Sequence, residues 1–108
     1  MMSQVSGDRT PITSDLVKQD ESFADIVQEF VEALPNRVSE IEAALNGQDF
    51  NSLRTLAHRL KGSGGGYGYA ILTEKAARLE KLAVQQELDK CAAAVDELKN
   101  IVSRVMVS

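Results

Sequence analysis

Four long stretches of this chain carry apolar residues three and four positions apart, and no segment alternates with period two. A helix of 3.6 residues per turn puts such positions on one face. The chain is therefore committed to amphipathic helices and holds no pattern from which to build a sheet. The first long stripe runs Phe23, Ile26, Val27, Phe30, Val31, Leu34, Val38, Ile41, Leu45, behind Asp20 as N-cap. Pro35 lies inside it, and because the stripe continues, a kink is expected rather than an end. Asn46-Gly47 should stop this helix with residues that tolerate the left-handed region.

Asp49 caps the next helix, with Leu53, Leu56, Ala57, Leu60 and Tyr67 as its stripe. Its far end is rich in glycine, at roughly 1 kcal/mol each relative to Ala, so helix there must be held by packing. Leu72, Ala76, Leu79 and Ala83 mark a further helix, and Leu88, Cys91, Ala92, Val95, Leu98, Val102 and Val105 the last. Ser14 or Thr13 can cap a short turn carrying Leu16 and Val17. Long amphipathic helices on short links predict an all-α fold, an antiparallel four-helix bundle with a short extra N-terminal helix. The bundle should span residues 13–108, and the polar residues 1–12 should form a flexible tail.

The chain is 108 residues long and 44% hydrophobic, enough for one core. Its net charge of −4 argues against a nucleic-acid partner. A single cysteine, Cys91, excludes a disulfide framework, reads as a small buried hydrophobe, and with a single histidine supplies no chelating set, so no metal is expected. No apolar run reaches bilayer length, no basic region precedes an apolar one at the start, and no lipidation box is present. A cytoplasmic, monomeric protein without membrane contact is the expectation.

Charge is unevenly spread. Residues 50–73 contain no Asp or Glu but hold Arg54, Arg59 and Lys61, so this island carries +3 and the rest −7, given −4 in total. Five of the seven glycines and the lone histidine, His58, fall here. With Leu53 at zero on a helical wheel, Leu56, Ala57 and Leu60 lie within about 60° of it, whereas His58 lies about 140° away, toward solvent. Arg54 and Lys61 share its flank. Gly62 stands one turn above His58, Gly65 continues a bare strip, and Gly64 faces the core. An exposed imidazole is a good nucleophile for a phosphoryl group brought by another protein, with Lys61 to balance charge on the transferring oxygens.

The string His58-Arg59-Leu60-Lys61-Gly62-Ser63, four residues, Gly68, three residues, Leu72 resembles the signature H-x-L-K-G-S-x₄-G-x₃-L of histidine-containing phosphotransfer (HPt) domains. The likeness extends to the acidic helix before it, the Asn46-Gly47-Gln48-Asp49 turn and the Ala77-Arg78-Leu79-Glu80 segment after it, roughly residues 15–105. The Gly64-Gly65-Gly66 run departs from most such helices. The resemblance implies that His58 is phosphorylated on Nε2, that Lys61 helps hold the phosphoryl group and that Gly62 keeps access open. It implies receiver domains of hybrid sensor kinases and response regulators as partners, their aspartates exchanging the phosphoryl group with His58. Those receivers would supply Mg²⁺, and this chain no cofactor, ATP site or autokinase activity of its own.

Arg54, Thr55, Arg59, Ser63 and Gly65 are the candidate docking residues on the histidine's own helix. For Arg54, Arg59 and Ser63, partner contact and ordinary solvation stand about even. The preceding antiparallel helix should bring Leu34, Pro35 and Arg37 beside His58, with exposed apolar atoms of Leu34 or Pro35 bordering the ring. Tyr67 reads as core, and Tyr69, in the turn, as either core or surface. The glycine string fails both P-loop and dinucleotide-loop spacing. The rival is a helical interaction module without phosphochemistry, while a hydrolase lacks a second acid–base group near His58.

Overall fold

The computed structural model describes residues 9–108, of which α1 spans Asp15–Gln19, α2 Ala24–Asn46, α3 Phe50–Gly66, α4 Ala70–Gln85 and α5 Leu88–Arg104. Links of two or three residues force each long helix to reverse on the one before. The long helices pack as a ring, α2 on α3, α3 on α4, α4 on α5, and α5 back on α2. This is the antiparallel four-helix bundle expected from the apolar stripes. Among the described residues the only β-type pairing is an isolated bridge between Ile12 and Val105.

Local chemistry sets the ends. The Ser14 side chain accepts the Val17 amide and starts α1. Asp20 accepts the Ser22 amide and opens a 3₁₀ turn, Glu21–Phe23, that runs straight into α2. Asp49 accepts both the hydroxyl and the amide of Ser52, and those hydrogen bonds, the hydroxyl's first, hold its carboxyl below the ordinary range. Pro35 lies within α2 without ending it. The stop of α2 differs from expectation: Gly47 remains right-handed, and the left-handed residue is Gln48, with φ 52°. The chain reverses one position later than the Asn-Gly pair suggests. Residues 1–8 of the expected tail lie outside the described residues. Within its remainder, the Thr10 carbonyl accepts from the Arg104 guanidinium, and Ile12 exchanges backbone bonds with Arg104 and Met106.

The core takes Val27, Phe30, Leu34, Ile41, Leu53, Ala57, Leu60, Leu72, Ala76, Leu79, Cys91, Val95, Leu98 and Ile101. Leu88, Phe23 and Ile26, placed on apolar stripes from the sequence, are instead exposed, each within the first residues of its helix or the turn before it. Stripe position there says little, because the neighbouring helix has not yet begun to cover the face. Tyr69 resolves to core: it is 1% exposed, and its hydroxyl donates to the Met106 carbonyl at 2.7 Å. Burial pushes that phenol up to about 12. Tyr67 is half-buried and stacks on Phe30 with centroids 4.6 Å apart.

The glycine-rich end of α3 is helical through Gly66. Gly64 is buried against α4, where a Cβ would fall 2.7 Å from Leu72 Cβ and 3.2 Å from the Thr73 amide nitrogen. The Thr73 hydroxyl donates to the Lys61 carbonyl at 2.7 Å, pinning the same stretch. In the corner that follows, Gly68 has φ +90°, and a side chain there would strike the backbone of Asp15 and Leu16. The buried Ser14 hydroxyl donates to the Tyr67 carbonyl, and the Asp15 amide to the Gly68 carbonyl. Thus α1 closes this end of the bundle.

Two glycines two residues apart should respond oppositely to alanine. Gly64→Ala forces α3 off α4 and should cost about 1–3 kcal/mol in urea unfolding. Gly66→Ala meets nothing within 4 Å and should gain about 0.5 kcal/mol. Equal effects would show that α3 and α4 are not in close contact at Gly64.

Candidate phosphoryl-accepting site

His58 is the ninth of the seventeen residues of α3, and its side chain is 64% exposed. The wheel argument put it toward solvent, and it stands there. Above it on the same face, Gly62 has open space where a side chain would be, and so does Gly66. Gly65 does not continue this strip: a Cβ there would lie 2.8 Å from the Thr73 hydroxyl, so it faces α4. Each step of four residues advances a helix by about 400°, so the open face runs from 58 through 62 to 66, while 65 turns toward α4.

The decisive neighbour comes from α4 and was not picked out in the sequence. Glu80 Oε2 lies 2.9 Å from His58 Nδ1, and its Oε1 lies 2.8 Å from Lys61 Nζ. The carboxylate thus ties the nucleophile candidate to the cation beside it. The Lys61 ammonium, chiefly, and the His58 ring secondarily hold the Glu80 carboxyl below its ordinary range, against the opposing effect of partial burial. An ionised carboxylate only accepts hydrogen bonds, so the proton of a neutral His58 sits on Nδ1. Nε2 is then left with its lone pair. The signal for Glu80 was available: α3 and α4 reverse about Tyr69, and positions 58 and 80 are symmetric about it, eleven residues to either side.

Other candidates separate by side. Arg37 of α2 shares an open depression with His58, Arg59, Gly62, Ser63, Gly66 and Tyr67. Arg37 also sits over the Phe30 ring, 5.8 Å from its centroid. Ser63 donates to the Arg59 carbonyl and Thr55 to that of Asn51, so both hydroxyls serve their own helix. Arg54 reaches Asn51 and lines a different hollow, beside Ala83, Val84 and Gln86. Leu34 and Pro35 do not border the histidine. Leu34 is 1% exposed in the core, and Pro35 lines a groove toward α5 with Val38, Lys99, Val102 and Val105. Counting back from the turn gives the right height along α2 but not the rotation. Pro35 and Arg37 are two residues, hence about 200°, apart.

Among the described residues no group of three or more His, Cys, Asp or Glu could hold a metal ion, and no helix is long and apolar enough to cross a membrane. Taken together, the arrangement can present an unprotonated ring nitrogen to an incoming electrophile, with a lysine ammonium held nearby and no side chain overhead. A family model described as Hpt domain matches residues 25–107, most of the chain. No curated protein and no solved structure matches it.

Because Glu80 stays ionised above its lowered pKa, its bonds to Lys61 and His58 are complete at neutral pH and are lost as pH falls through that value. Nitrogen-15 spectra of the ring at pH 7.5 should show the Nδ1–H tautomer as the major neutral form. A predominant Nε2–H tautomer would show that Glu80 does not accept a proton from Nδ1.

Proposed function

The chain belongs to the Hpt-domain family, whose members carry phosphoryl groups on a histidine in two-component signalling and interact with receiver domains; on that premise we propose that it is a phosphorelay intermediate with His58 as the carrier. The observation that carries this reading is the Glu80–His58 bond, which leaves Nε2 unprotonated on an exposed, unobstructed face. A receiver docks over the bare strip of α3 and brings its aspartyl phosphate in line with Nε2. The ring lone pair forms the N–P bond as the acyl P–O bond breaks, and the bonding pair leaves with the receiver carboxylate. Lys61 Nζ, bonded at 2.8 Å to the same carboxylate as the ring, offsets charge on the equatorial oxygens. The reverse sequence delivers the group to a second receiver.

Arg37 and Arg59 flank the histidine from two helices and present positive charge to an acidic partner surface. The stretch from residue 50 to 73, free of acidic residues, supports the same polarity. Such a complex is transient by function, since the carrier must release one receiver to meet the next. The setting proposed is the cytoplasm, with the protein acting as a monomer. Mg²⁺ and the groups that activate the aspartate belong to the receiver.

Incubation with a phosphorylated receiver should give base-stable, acid-labile label on the wild-type chain and none on His58→Gln. Label that survives that substitution would place the carrier elsewhere. No label on the wild type from any receiver of the host would favour a plain interaction module. Reversing charge at Arg37 and Arg59 together should slow transfer by roughly tenfold or more at low salt, with helicity unchanged, and the deficit should shrink as salt screens the encounter.

A further inference from the structure

We propose that the Glu80 carboxylate sets how readily phospho-His58 surrenders its phosphoryl group, by keeping the Nδ1 proton on the ring after the N–P bond has formed. The proposal rests on the carrier function above, since it concerns the same ring. The chemistry follows from proton accounting. Before transfer, Nδ1 carries a proton and Nε2 a lone pair. When Nε2 takes the phosphoryl group and the donor oxygen leaves with its electrons, the ring bears substituents on both nitrogens and is an imidazolium. If Nδ1 then loses its proton, departure of the phosphoryl group would generate an imidazolate, a poor leaving group. If the proton stays, departure yields neutral imidazole, a far better one.

The cations around the ring favour loss of that proton. Lys61 and Arg59 stand on its own helix, and Arg37 shares its depression from α2. Glu80, on α4, opposes them with a carboxylate at hydrogen-bond distance from that nitrogen, 2.9 Å away. Its side chain is 19% exposed, so solvent screens this bond less than it would at the open face of the ring. Phosphorylation also sets the new anion and Glu80 in competition for Lys61, which is bonded to Glu80 at 2.8 Å before transfer. Both effects keep the phosphoryl group mobile, and the first varies with pH because it turns on the Nδ1 proton.

Glu80→Gln separates charge from shape, because the amide carbonyl still accepts from Nδ1–H. Phosphoramidate loads exposed imidazoles without a receiver, transferring phosphoryl to Nε2 with ammonia as leaving group. The full chain and its E80Q variant are loaded this way, and loss of label is followed between pH 5 and 8.5. At pH 8 the variant's phosphoryl half-life should be roughly three- to tenfold longer, a charge effect discounted for the exposure of the ring. Near pH 5, where the proton stays on in both, the two should converge. Glu80→Asp, which keeps the charge, should move the profile back toward wild type. Equal half-lives at pH 8, or a ratio constant across the range, would overturn the proposal. A wild-type chain that loads chemically yet exchanges with no receiver would overturn the carrier function instead, while the half-life comparison still decides this inference.

Discussion

The contact of Gly64 with Leu72 fixes how near α3 and α4 can lie, and the site depends on that separation. A methyl group at position 64 would sit inside the van der Waals shell of α4. With hydrogen there, the Thr73 hydroxyl reaches the Lys61 carbonyl, and farther along the same pair of helices Glu80 reaches His58 and Lys61. A carboxylate on a stem of two methylenes has limited reach. Helices held far enough apart to break the 2.9 Å bond would leave the ring without the acceptor that selects its tautomer. Glycine at this position therefore acts at a distance of almost two helical turns from the residue whose chemistry it supports.

The charge pattern gains a different meaning in three dimensions. Along the chain, residues 50–73 form a basic island inside an acidic protein. In the bundle the island receives one anion from the neighbouring helix, placed beneath the exposed ring. Exposure falls from 64% at His58 to 35% at Lys61 and 19% at Glu80. The histidine ring stands outermost, the lysine lies lower, and the carboxylate bonded to both is the most sheltered. That order suits the carrier role proposed for His58, in which the ring is reached from outside and keeps one geometry between encounters.

Much of this was legible from residue order. The stripes placed four helices, and the wheel placed His58 on the outside, because burial follows the helical period wherever a neighbouring helix covers the face. The capping residues Ser14, Asp20 and Asp49 were legible because a side-chain acceptor before an apolar stripe has a local cause. What escaped was whatever depends on rotation or on the approach of a second helix. Pro35 and Leu34 were placed at the correct height but on the wrong side. Gly65 was put on the bare strip, although Thr73 fills its front. Glu80 was quoted as part of a segment and not as a partner, since nothing within its own helix marks it. Tyr69 stayed undecided because its burial depends on residues distant in sequence, the Phe30 ring and the Met106 carbonyl 37 residues on.

The helix ends are unequal. The two turns at one end place glutamines, Gln48 and Gln86, in the left-handed region at φ 52° and 56°. A side chain there costs on the order of 1 kcal/mol that glycine would not. The opposite end turns at Gly68 and is latched by α1. Fraying should accordingly begin at the glutamine end and travel inward. His58 lies eight residues from either terminus of α3, more than two turns from the first bonds to open. The ring can hold its orientation while the rim of the bundle breathes.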